Sequence, residues 1–449
     1  MNQLIAKKLL IMLERLRGEP IDLYLRELLE NEKLDLEQLK ELQWRKFTEL
    51  LKHAYENSPY YRELFRREGL HPSDIRSASD VAKIPALTKA EFQINASKML
   101  IDNPPRQMTL AKTSGSTGDP LKFYKDRKSS GYTMAAMYRG HLWHGLDIGA
   151  KEAMLWGVPV NFGQRQKTRA RDIVLNRFRE REYNLKDHIL RDFYNKMIRR
   201  KPAYLMGYSS MVYEFARFLR EEGLDGKCLG LRLVKCTSET IQDIYRETIE
   251  DVFGCNIVSE YGAAETGLIA FECDKGNHHL LLDCAYVHYV EQDILVDGEP
   301  LKKILVTDLH NYAVPIINYE VGDTVVTSDH TCPCGRPFPL LKRIIGRLGD
   351  VVLTPSGQRL HSIIFYYIMK GLTDKGGGIK SFKVYQKAQD RLKVMLVKDK
   401  KFKQKSLEFL SKEFQRHFGP EMKIDFEFCD AIPREQSGKL RDFVQEVPL

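Results

Sequence analysis

The chain has 449 residues, too many for one small core and enough for two or three domains. Apolar residues make up 43% and charged residues 29%, which excludes a disordered chain, and no apolar run approaches the roughly 20 residues of a membrane span. The 70 basic residues exceed the 61 acidic by nine and are mostly interspersed with them; the densest exceptions, RQKTRAR at 165–171 and RR at 199–200, come with no nucleic-acid motif, so nucleic acid is not an expected partner.

The first 20 residues carry leucines and isoleucines at helical spacing between Lys, Glu and Arg, without the small-residue cleavage site of a secretory signal. They read as an amphipathic helix. Its apolar face is expected to pack on the body of the protein, with peripheral membrane or partner contact as the alternative. Helical spacing continues through HAYENSPYYRELFRREG, so residues 1–70 read as helices. From about 105 to 340, β-rich runs such as LRLVKC and CNIVSEYG alternate with helical stretches such as SSMVYEFARFLREEG, which predicts an α/β body with a largely parallel sheet. DILVDGEPLKKILVTDL reads as a hairpin around Asp297-Gly298, opening a β-rich subdomain. Composition changes at GRLGD (346–350), and the strand–strand–helix–strand order that follows predicts a small α+β domain over 347–449, after a large α/β domain over 1–346. Eight cysteines, five of them (Cys228, Cys236, Cys255, Cys284, Cys429) solitary in apolar surroundings, suit buried thiols in a reducing cytoplasm rather than a disulfide framework.

Four segments can carry chemistry. KTSGSTGDPLKF (112–123) can turn backbone N–H groups and hydroxyls toward phosphate oxygens, although it is not a Walker A loop and Ser/Gly loops are commonly plain turns. VSEYGAAETG (258–267) places Glu265 at the carboxyl end of a strand, where a carboxylate can hold Mg²⁺ or simply face solvent. NYEVGDTVV (318–326) puts Asp323 after a turn, able to accept from ribose hydroxyls or to cap the turn. IPREQSGKL (432–440) presents Lys439 after a Ser-Gly turn, able to bring positive charge to a reacting phosphorus.

In this order the motifs TSGSTGDP, YGAAE, YEVGD, GRLGD and PREQSGK, preceded by HAYENSPYYRELF, resemble the adenylate-forming superfamily over nearly the whole chain. The nearest likeness is to the phenylacetate–CoA ligase family and its branch associated with capsular polysaccharide biosynthesis. The resemblance implies that ATP activates a small-molecule carboxylate as its acyl-AMP, which then passes to coenzyme A or to an amine or sugar. It implies that Thr113, Ser114, Gly115, Ser116, Thr117 and Gly118 hold the ATP phosphates, and that Tyr261 and Gly262 line the adenine. It further implies that Glu265 ligates Mg²⁺, that Asp323 binds ribose with Arg347 nearby, and that Lys439 bridges carboxylate and α-phosphate. The small C-terminal domain would swing about GRLGD between half-reactions. The family's hinge aspartate is here Gly349, followed by Asp350, which puts the usual hinge chemistry in doubt. Trp156, Phe162 and Tyr208 are candidate walls of the acyl pocket or plain core residues.

Cys273 and His279 in CDKGNHH, with Cys332 and Cys334 in HTCPCGRP, make a Cys₃His set suited to tetrahedral, structural zinc, with His278 and then His330 as substitute ligands. Unliganded cytosolic thiols are the plainer alternative. Two other function classes stay open: a nucleotidyltransferase that leaves AMP on a small-molecule coenzyme, and a non-catalytic, zinc-stapled binding protein.

Overall fold

The computed structural model describes residues 1–112, 121–156, 162–180, 185–296, 299–347, 351–374, 377–399, 402–435 and 440–447. Five helices come first: α1 (Gln3–Leu16), α2 (Ile21–Asn31), α3 (Leu36–Asn57), α4 (Pro59–Arg67) and α5 (Lys89–Met99). Asp35 and Gln38 form a reciprocal capping box that starts α3. Pro59 ends α3 and opens α4, with Ser58 held in the β region that precedes a proline. Next come strands β1 (Met108–Lys112) and β2 (Lys122–Asp126), an antiparallel pair in which Lys112 faces Lys122. Helix α6 (Arg127–Trp143) follows, capped by the Asp126 side chain.

Strands and helices then alternate: β3 (Glu152–Leu155), α7 (Phe162–Val174), β4 (Arg177–Glu180), α8 (Asp187–Arg200), β5 (Tyr204–Gly207), α9 (Ser209–Glu221), β6 (Leu233–Thr237), α10 (Asp243–Phe253) and β7 (Ile257–Ala263). Helical crossovers make these five strands parallel, in the order β4-β3-β5-β6-β7. Strands β8 (Gly267–Glu272), β9 (His278–Leu280), β10 (Ala285–Val296), β11 (Glu299–Asp308), β12 (Tyr319–Ser328) and β13 (Leu340–Arg347) complete an 11-stranded sheet ordered β10-β11-β12-β13-β9-β8-β7-β6-β5-β3-β4. The β-rich stretch continues the same sheet, and the parallel part is five strands of the eleven, a smaller share than the expected largely parallel sheet. The β7–β8 connection is three residues long, Ala264 to Thr266, which allows only an antiparallel neighbour.

One face of the parallel half is covered by α8, α9 and α10, through Phe193, Met197, Phe215, Ile249 and Phe253. The other is covered by α2 and α6, through Leu25, Leu28, Ala135 and Ala136, against Leu233, Val258 and Phe271. Gly140 on α6 is needed there, since a Cβ would lie 2.5 Å from the Phe271 ring. The remainder of the chain holds the pair β14 (Val351–Leu353) and β15 (Arg359–His361), then α11 (Ile363–Asp374), β16 (Ile379–Ala388), β17 (Arg391–Lys398), α12 (Gln404–Phe418), β18 (Lys423–Phe428) and β19 (Phe443–Gln445).

The chain divides into two compact units: Met1–Val290 with Ile304–Val321 and Val325–Ile344, and Glu291–Lys303 with Gly322–Thr324 and Ile345–Leu449. A cut at 346/347 does not anticipate the two short strand segments in the second unit. In that unit α11 and α12 lay Phe365, Ile368, Leu410 and Phe414 on a four-stranded sheet ordered β18-β17-β16-β19.

Candidate active site and metal centre

Glu265 lies in the tight turn from β7 into β8. Gly262 permits that turn, because a Cβ there would come within 2.4 Å of the Gly267 carbonyl oxygen. The register shifts between Tyr261 and Gly262, and such a bulge re-aims the chain at a strand end. Glu265 is buried, and its Oε1 accepts a hydrogen bond from the Tyr319 hydroxyl at 2.8 Å. Its Oε2 has no hydrogen-bond partner among the described residues. The Tyr319 ring is fixed edge-on against Phe92, with centroids 5.8 Å apart.

A buried polar cluster ties this turn to the hairpin that carries the 113–120 connection. Lys125 on β2 lies 3.3 Å from Asp308 and donates to the Ala264 carbonyl at 3.5 Å. Ser129 Oγ donates to the same Asp308 oxygen at 2.7 Å. Asp126 accepts from the backbone N–H groups of Ser129, Tyr312 and Ala313 at 2.6, 2.7 and 3.1 Å. Burial raises its carboxyl pKa, and these three N–H groups oppose that. The base of the hairpin is therefore pinned to both the Glu265 turn and the 308–313 segment.

At the carboxyl ends of the parallel strands, Trp156 after β3 stacks on Tyr208 after β5 with ring centroids 4.3 Å apart. After β6, Glu239 accepts from the Ser210 N–H at 2.9 Å and from Ser209 Oγ at 3.2 Å. Neighbouring Ser238 has a φ of 68°, a strained value for a residue with a Cβ. The carboxyl edge of the parallel strands is where open α/β sheets bind ligands.

Of the residues singled out from the sequence, Tyr261, Gly262 and Glu265 belong to the first unit, whereas Asp323 and Arg347 belong to the second. Thr113, Ser114, Gly115, Ser116, Thr117, Gly118, Gly349, Asp350 and Lys439 lie outside the described residues, as do the side chains of Phe162 and Arg347. Sequence reasoning missed Tyr319, Lys125, Asp126, Asp308 and Glu239. Tyr319 stands inside the NYEVGD run and Asp126 immediately precedes a helix, so both left a local trace; the others left none.

The ligating atoms of Cys273, His279, Cys332 and Cys334 all lie within 4.8 Å of one another. Cys273 directly follows β8, His279 is in β9, and the C-x-C sits in the connection between β12 and β13. The Cys273 and Cys332 sulfurs are 3.7 Å apart, close to the edge of about 3.8 Å expected for a tetrahedron with Zn–S bonds of about 2.3 Å. Cys334 Sγ lies 3.2 Å from His279 Nε2. His279 Nδ1 lies 3.3 Å from the Phe338 carbonyl; donating to it leaves the Nε2 lone pair for a metal. Backbone N–H of Lys275 and the Asn277 amide donate to the Cys273 and Cys332 sulfurs at 3.4 and 3.3 Å, which favours thiolates. Burial pushes the Cys273 thiol up to about 12 and drops His279 to about 4. Burial opposes Cys334 ionisation too, but the Arg336 N–H and guanidinium outweigh it and lower its pKa. His278 contacts Ser259 and lies 3.8 Å from Glu272, outside the cluster, as is His330.

Residues 352–446 match the family model of the CapK C-terminal domain. Protein CapK of Staphylococcus aureus is 22% identical over 419 residues, covering 91% of this chain and 90% of its own length. A phenylacetate-coenzyme A ligase of Pseudomonas putida is 26% identical over 350 residues, covering 70% and 71%. Among solved structures, 2-hydroxyisobutyryl-CoA ligase in complex with R3-HIB-AMP, in the postadenylation state, has a TM-score of 0.72 at 18% identity, over 91% of this chain and 90% of that one. The architecture and these relatives define an AMP-forming ligase: the chain belongs to the adenylate-forming superfamily. Within that superfamily the chain is similar to the phenylacetate-coenzyme A ligases and to Protein CapK, whose C-terminal domain model it matches over 352–446.

Proposed function

We propose that the protein activates a small-molecule carboxylate with ATP as an acyl-adenylate and then transfers the acyl group to coenzyme A or to an amine or sugar, in surface polysaccharide biosynthesis. The observation that carries this reading is the buried Glu265 carboxylate, held through one oxygen by Tyr319 and leaving the other without a partner among the described residues. That is what a ligand for Mg²⁺ on nucleotide phosphates requires. Bound there, Mg²⁺ would neutralise charge on the phosphate oxygens.

The chain's own groups do the rest. Loop 113–118 cradles the phosphates, Tyr261 and Gly262 border the adenine, and Asp323 accepts from the ribose hydroxyls with Arg347 close by. Lys439 draws the carboxylate oxygen and the α-phosphorus together. In-line attack then breaks the Pα–O bond to pyrophosphate and forms acyl-AMP, which needs alignment and charge neutralisation more than a covalent catalyst. The stacked Trp156 and Tyr208 support an acyl pocket with one aromatic wall at the carboxyl edge of the sheet.

Cys273, His279, Cys332 and Cys334 fit zinc by donor type and spacing, and four protein ligands leave no open position, so the metal's role is structural. Eight cysteines with no disulfide between them support a reducing, cytoplasmic location. The test is a panel of carboxylic acids assayed for pyrophosphate release, with products weighed by mass spectrometry. Free AMP plus an acyl product fits this reading. A stable AMP adduct on the acceptor makes the protein a nucleotidyltransferase instead.

A further inference from the structure

Helix α1 is docked by Ala6, Leu10 and Glu14. Its seat is close: a Cβ on Gly149 would lie 2.6 Å from the Gln3 carbonyl oxygen and 2.7 Å from the Lys7 nitrogen. A docked surface helix is expected to turn polar residues outward. This one does the opposite. Leu4, Ile5, Met12 and Leu16 are 68%, 59%, 51% and 76% exposed, and helical geometry puts them on the side away from Ala6 and Leu10. On α7, which packs beside α1, Ile173 is 66% exposed, one turn from the exposed Arg169.

Around these side chains the charges left without an ion pair among the described residues are basic. Residues 1–18 contain Lys7, Lys8, Arg15 and Arg17 against a single acid, Glu14, which is 3% exposed and paired with Arg17 at 3.0 Å. Arg15 is held by Asp22, and Lys7 by Asp147 at 2.6 Å. Lys8 and Arg169 have no ion pair among the described residues, and Lys8 lies within the apolar sector itself. We propose that the outer face of α1, with Arg169 and Ile173 of α7, docks the protein on an anionic lipid bilayer. The apolar side chains project instead of lining a groove, so they suit insertion among acyl chains better than a protein knob. Long basic side chains between them can reach lipid phosphates while their stems stay apolar. The inference does not depend on the reaction proposed above.

The experiment is co-sedimentation of the full chain with large vesicles of phosphatidylcholine containing about one-third phosphatidylglycerol, and with phosphatidylcholine alone. The expected result is preference for the anionic vesicles, weakened in about 0.5 M salt. Ile5→Glu with Met12→Glu should weaken partitioning by about tenfold or more, and Lys8→Glu with Arg169→Glu by several-fold, at unchanged thermal unfolding because all four positions are exposed. Wild-type protein that stays off anionic vesicles overturns the proposal, as does the apolar pair of variants binding like wild type. A dimer that Ile5→Glu and Met12→Glu dissociate, without vesicle binding, also overturns it and makes the face a protein interface.

Discussion

Replacing Tyr319 by Phe isolates the contact that positions Glu265. The ring stays, wedged against Phe92, and the change removes only the hydroxyl that donates to Glu265 Oε1 at 2.8 Å. A hydrogen bond to an ionised group contributes about 1.5–3 kcal/mol. Each ~1.4 kcal/mol is tenfold in an equilibrium constant, so full loss spans about ten- to a hundredfold. The turn itself survives because the Gly262–Gly267 approach and the Lys125–Ala264 contact are untouched, which puts the expected effect near tenfold. Isothermal titration of the full chain with ATP, with and without Mg²⁺, measures it without knowledge of the acid. The Kd for Mg-ATP should rise about tenfold while Mg-free ATP binds as before. Wild-type affinity for Mg-ATP in Tyr319→Phe, or an equal loss with and without Mg²⁺, refutes the assignment of Glu265 to the metal.

Elemental analysis should find about one zinc per chain, and Cys334→Ser should lose it together with thermal stability. Arg139 is fully buried and donates to both oxygens of Asp283 at 2.7 and 2.9 Å. Arg139→Met should therefore cost about 3–5 kcal/mol in urea unfolding, and adding Asp283→Leu should recover part of that. His141, His278 and His310 have pKa values lowered by burial, His278 to about 4, so they stay neutral in the folded chain. The unfolded chain takes up those protons near pH 6.5, so stability is full above that pH and declines toward pH 4. Unfolding temperature measured across that window should fall, and His278→Gln should shallow the decline.

Local signals carried the helices and most of the strands. Asp35 with Gln38 announces α3, Pro59 marks the α3–α4 break, and the alternating apolar runs give β16 and β17. The C-x-C spacing and the C-x₅-H exposed the metal set because thiols and imidazoles are rare and clustered. What stayed hidden depends on contacts between residues far apart in sequence. Lys125 meets Asp308 across 183 positions (308 minus 125), and Arg139 meets Asp283 across 144; neither spacing has a local period. The continuity of the sheet from β7 into β13 was hidden for the same reason, since strand order depends on partners that periodicity cannot name.

The central claim, that Lys439 brings a carboxylate oxygen onto the α-phosphorus of ATP, is tested most directly by pyrophosphate release in single turnover. Wild type and Lys439→Ala should be compared with an acid that the wild-type enzyme accepts. The account predicts loss of most of the signal in the variant, with Mg-ATP affinity nearly unchanged. Release at the wild-type rate would contradict it.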